Sequence, residues 1–97
     1  MPEKLLTPTQ LFTLKTPEPA NLNLCPPGIY KSDSLIKIEN APVDGGHGII
    51  ISTEHKINNV TTIISQLYFE LSGSKIGEQK IYWRNCLGGI WGTWSSY

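Results

Sequence analysis

From Asn21 onward, hydrophobic and polar positions alternate in short runs separated by glycine, proline and asparagine. The longest run is Val60 to Leu71. In it Thr61, Ile63, Ser65, Leu67, Phe69 and Leu71 share one face of an extended chain, and Thr62, Ile64, Gln66, Tyr68 and Glu70 share the other. Before it, Gly48 to Thr53 holds three consecutive isoleucines, the pattern of a strand covered on both faces. Cys25-Pro26-Pro27-Gly28 makes a tight entry into a short strand at Ile29 to Lys31, and Leu35 to Glu39 reads as another. Asn40-Ala41-Pro42 and Asp44-Gly45-Gly46 form a loop between them and the isoleucine run. Gly73 to Gly77 turns the chain, Gln79 to Cys86 returns it, and Gly88-Gly89 leads to a last strand at Trp91 to Trp94. Six short strands with frequent turns predict an all-β fold, a small antiparallel sandwich or barrel-like knob.

Residues 1–20 read differently. Thr7-Pro8-Thr9-Gln10 has the form of a helix N-cap with proline at the first helical position and a glutamine reaching back. Leu11, Phe12 and Leu14 extend it by a turn or two, and Thr16-Pro17-Glu18-Pro19 stops it in an extended linker. The expected organisation is a short helical or extended connector at 1–20 and one β domain at 21–97.

Composition supports the strands. The chain has twelve Ile and eight Thr but two Ala, and β-branched side chains suit a pleated surface better than a helix. Eight Lys+Arg balance eight Asp+Glu, with no basic cluster. That excludes the basic stripe of a nucleic-acid binder and the polybasic patch of an anionic-membrane binder. No run approaches the ~20 apolar residues of a membrane span. At 97 residues the core is thin, and oligomerisation would strengthen it.

Catalytic signatures are missing. There is no nucleophile elbow, no phosphate-binding loop and no pair of acids that the pattern brings together. Gly45-Gly46-His47-Gly48 reads as a turn. His47 and His55, with Asp44 and Glu54, lack the spacing of a metal motif, so neither a metal nor a cofactor is expected. Asn59-Val60-Thr61 is a formal glycosylation acceptor that matters only in a secretory pathway.

The C-terminal stretch is the most informative. Five of the nine aromatic residues lie between Tyr82 and Tyr97, beside Arg84, the chain's one arginine. Trp91 and Trp94 suit a core. Tyr82 and Arg84 share one strand face, and antiparallel pairing with the Val60 strand sets Gln66 and Tyr68 beside them. Gln66, Tyr68, Tyr82 and Arg84 therefore form the candidate ligand-binding patch, in which a guanidinium grips sugar hydroxyls or anionic groups and aromatic faces stack on sugar rings. The same four residues read equally well as a hydrogen-bonded structural cluster.

Asn21-Leu22-Asn23, Pro27-Gly28-Ile29-Tyr30, Gln66-Leu67-Tyr68, Ile81-Tyr82-Trp83-Arg84 and Trp91-Gly92-Thr93-Trp94, in this order and spacing, resemble the pyocin-knob type domain of phage and phage-tail-like fibres. The resemblance covers about residues 20–97. It implies a non-enzymatic, homotrimeric fibre tip that binds bacterial surface polysaccharide, sits on the virion tail and is assembled in the host cytoplasm. It also implies free thiols at Cys25 and Cys86, because folding is then cytosolic. Met1 stands only about twenty residues before the first motif. The expectation is therefore either a shortened fibre or a separate tip subunit docked on other tail or baseplate proteins through residues 1–20. A structural cap or connector of the same fold, without glycan binding, is the alternative, and a depolymerase fragment is a third reading.

Overall fold

A computed structural model describes residues 13–43, 45–71 and 79–96. Among the described residues six strands, β1 (Gly28–Ser32), β2 (Gly48–Ile57), β3 (Thr61–Glu70), β4 (Ile81–Leu87), β5 (Ile90–Trp91) and β6 (Ser95–Ser96), form one antiparallel sheet. β1 to β5 lie side by side in chain order, and β6 also pairs with β4. The fold is the small all-β one that the alternation predicts. A layer of irregular chain containing one 3-10 turn, Leu22–Leu24, lies against one face of the sheet. The Thr7–Gln10 cap and the Gly73–Gly77 turn lie outside the described residues.

Register fixes what each sheet face carries. Ser52 stands opposite Gln66, and Gln66 opposite Arg84. Ile50, Tyr68 and Tyr82 form the next row on that inner face. The core is built there: Leu22, Cys25 and Ile38 from the covering layer meet Ile50 and Tyr68 from the sheet. Tyr30, Tyr82 and Trp94 pack around them. On the outer face Ile29, Ile51, Leu67 and Trp83 form one row, and Lys31, Ile49, Phe69 and Ile81 another.

Three expected strands differ from the structure. Leu35 to Glu39 is not a strand. Asp33 turns the chain, its carboxylate accepting from the Leu35 amide at 3.0 Å, and only Ile38 of this segment enters the core. Its one pairing is a single bridge between Glu39 and Asn21, because the chain beyond Asn21 coils into the 3-10 turn. The isoleucine run belongs to a longer strand whose burial alternates, with Gly48, Ile50 and Ser52 buried and Ile49 and Ile51 half-buried. One face of β2 is therefore covered, not two. The Trp91–Trp94 strand is broken into β5 and β6 by a bulge.

That bulge is a simple miscount. β5 pairs Trp91 with Cys86, and β6 pairs Ser95 with Trp83. Between these pairs Arg84 and Asn85 face three residues, Gly92, Thr93 and Trp94. One extra residue on one strand resets the alternation. Trp91 and Trp94, three apart and otherwise on opposite faces, now both turn toward the inner face. The Gly92 amide donates to the Asn85 carbonyl at 2.8 Å and anchors the kink.

Candidate functional site

The four sequence-predicted residues do assemble on one sheet face, but in the interior. Gln66 and Tyr68 are 1% exposed and Arg84 is 5% exposed; Tyr82 alone is half-buried. The cluster is thus an internal network, not a surface patch. Burial leaves Gln66 and Tyr68 no side for a ligand, because the covering layer occupies that space.

Gln66 is the hub of this network. Its Nε2 donates to the Leu22 carbonyl at 2.7 Å and to Ser52 Oγ at 3.3 Å. Its Oε1 accepts from Arg84 Nε at 3.0 Å and from an Arg84 terminal nitrogen at 2.8 Å. One amide side chain so joins β2, β3, β4 and the covering layer. A buried amide must find such partners, since an unmet polar atom in the interior costs about 1–3 kcal/mol.

Arg84 meets two indole rings as well as Gln66. Its guanidinium carbon lies 3.8 Å from the Trp91 ring centroid and 4.7 Å from that of Trp94. Indole faces attract a desolvated cation, so two rings and an amide oxygen do the work of a carboxylate. Burial lowers the Arg84 pKa to about 10, which leaves it charged at neutral pH. Trp94 is itself fixed, its Nε1 donating to the Asn40 carbonyl at 2.9 Å. Asn40 takes a positive φ of 63° and donates from Nδ2 to Asn21 Oδ1 at 2.8 Å. Asn21 Oδ1 also caps the 3-10 turn by accepting from the Asn23 amide.

Tyr68 and Tyr82 form a pair of their own in the next row of the same face. Their rings meet edge to face with centroids 6.2 Å apart. Burial pushes the Tyr68 phenol above its ordinary value, and a hydrogen bond with Ser32 opposes that shift. Cys25, also buried, has its thiol pushed up by the same desolvation. Cys25 and Cys86 are both free. Among the described residues no group of three or more His, Cys, Asp or Glu is placed to hold a metal.

Trp91 and Trp94 are the partners of Arg84 that alternation misses. Two tryptophans three apart, spaced by a glycine and followed in space by the only arginine, are the signal. A second feature had no sequence signature at all. Beside the β1 edge an open depression of about 570 Å³ is lined by Lys15, Glu18, Tyr30, Lys31, Asp33 and Ile36. Lys31 and Asp33 approach at 3.9 Å, a loose pair in which Lys31 is exposed and the half-buried Asp33 carboxylate also accepts from the Leu35 amide. Cations, carboxylates, a phenol ring and an aliphatic floor in one shallow cleft suit a ligand rich in hydroxyls.

No protein-family model, curated protein or solved structure matches this chain.

Proposed function

We propose that this chain is the receptor-binding tip of a phage or phage-tail-like fibre, a homotrimer without enzymatic activity that recognises a host-cell surface polysaccharide. One observation carries the reading. Residues of four of the five motifs behind the fibre-tip resemblance, scattered from Asn21 to Trp94, are linked by hydrogen bonds and ring contacts into one network through Leu22, Gln66, Arg84 and the two indoles. An ordered motif set with that outcome is a folding signature. It supports kinship of fold with such knobs, and it moves ligand binding away from the residues of that buried network.

Recognition then falls to the open depression beside β1. Tyr30 offers an aromatic edge, and Lys15, Glu18, Lys31 and Asp33 offer donors and acceptors to sugar hydroxyls. A charge-assisted hydrogen bond contributes about 1.5–3 kcal/mol, so a few of them support a weak monovalent site. Three copies on one tip raise the avidity.

Labelled protein titrated onto bacterial cells and onto an array of bacterial surface polysaccharides tests the proposal. The expected result is saturable binding to one class of glycan, competition with adsorption of the particle, and a loss of about tenfold or more in Lys31→Ala. A folded protein that binds no cell and no polysaccharide would reject it in favour of a structural cap or connector.

A further inference from the structure

The sheet has a second face that the core does not use. Ile51, Leu67 and Trp83 form its central row, flanked by Ile29, Phe69 and Ile81, and none of the six belongs to the core cluster. Ile29, Leu67 and Ile81 keep 56, 37 and 39% of their surface exposed. A soluble sheet with one covered face ordinarily turns polar residues outward. Here the outward positions at the centre are isoleucine, leucine, phenylalanine and tryptophan.

We propose that this outer face is where copies of the chain pack against one another, with the Ile51–Leu67–Trp83 row at the middle of the contact. Three observations choose a copy of the same chain over another partner. The first is charge. Among the outward positions of β1 to β4 the ionisable side chains are Lys31 and His55, both away from the central row, and there is no acid. Such a face has nothing to complement an oppositely charged partner, whereas a neutral apolar surface suits its own copy.

The second is area. The outward positions of β1 to β4, two on β1, five each on β2 and β3 and four on β4, spaced about 4.8 Å across the sheet and about 6.8 Å along each strand, cover roughly 500 Å² in plan. With the relief of the side chains this is of the order of the roughly 800 Å² per partner that stable interfaces use. The third is the edges. The Lys31 amide at the β1 edge donates to the Lys15 carbonyl at 2.9 Å, and the opposite side is finished by two strands of two residues each. Edge-to-edge pairing is thereby hindered, and packing through the outer face is left. This deepens the fibre-tip reading and rests on it only for the number of copies.

Light scattering on the full chain and two outer-face variants, Leu67→Arg and Ser65→Arg, tests the assignment, with circular dichroism confirming that each is folded. Lys56→Glu, on the opposite face of the exposed end of β2, serves as the control. The expected result is a wild-type oligomer at micromolar concentration, monomers for both outer-face variants, and wild-type mass for Lys56→Glu. If Leu67→Arg does not fold, Ser65→Arg gives the reading. A monomeric wild type, or folded outer-face variants that keep the wild-type mass, would overturn the proposal. The fibre-tip reading fails separately: the oligomer would form through this face and yet bind no cell or polysaccharide.

Discussion

Arg84 shows how one residue can look like a binding group and act as a structural one. A lone arginine beside tyrosines on a strand is what a glycan site offers, and alternation alone places it correctly beside Gln66, Tyr68 and Tyr82. Alternation does not say whether a second layer covers that face. Here the covering layer does, and the guanidinium is satisfied by Gln66 Oε1 and two indole rings. Arg84→Ala would leave Gln66 Oε1 buried without its donors and remove the guanidinium from beside Trp91 and Trp94. It is expected to lower unfolding free energy by on the order of 3 kcal/mol. Arg84→Lys should recover little of this, because an ammonium lacks the planar face that meets the indole rings and cannot bring the same pair of adjacent N–H groups to Gln66 Oε1. Urea unfolding of the variants measures the loss, and glycan titration of the folded fraction should show unchanged affinity. A stable Arg84→Ala protein that has lost binding would return the site to this cluster.

At the scale of elements, the chain's own pattern is readable where a strand is long. β3 follows the strict alternation of Val60 to Leu71, and β4 appears within a residue or two of its expected bounds. Short elements are less legible, for physical reasons. Leu35 to Glu39 alternates like a strand, but a strand needs a neighbour, and the neighbouring chain coils into the 3-10 turn. The bulge at Gly92–Trp94 depends on pairing with β4 and leaves no local mark beyond the glycine. Gly48 is a further case. A Cβ there would lie 2.7 Å from two ring carbons of Tyr68 and 2.9 Å from the Phe69 carbonyl oxygen. The Tyr68 ring is fully buried and cannot swing away. Gly48→Ala is therefore expected to cost about 1–3 kcal/mol, read as a lower urea midpoint with an unchanged slope. Wild-type stability in this variant would mean that β2 and β3 approach less closely here.

Among the described residues, the sheet has one face sealed by the chain's own covering layer and a second face whose central positions are apolar. Its sealed side holds a small core, Leu22, Cys25, Ile38, Ile50 and Tyr68, stiffened by the Gln66–Arg84 network. A domain of this size buries only about two-thirds of its unfolded surface, so further burial between copies adds stability where the single chain has least. The same assembly would set several shallow depressions on one tip, as adsorption to a repetitive polysaccharide requires. The run of three isoleucines in β2 reads in the sequence as a strand covered on both sides, whereas the chain's own layer covers one. Packing between copies through the outer face, as proposed above, would supply the second cover. The mass of the purified chain in solution, measured by light scattering at micromolar concentration, tests this most directly. The expected result is a particle of three times the 10.8 kDa chain. A well-folded monomer of 10.8 kDa would contradict it.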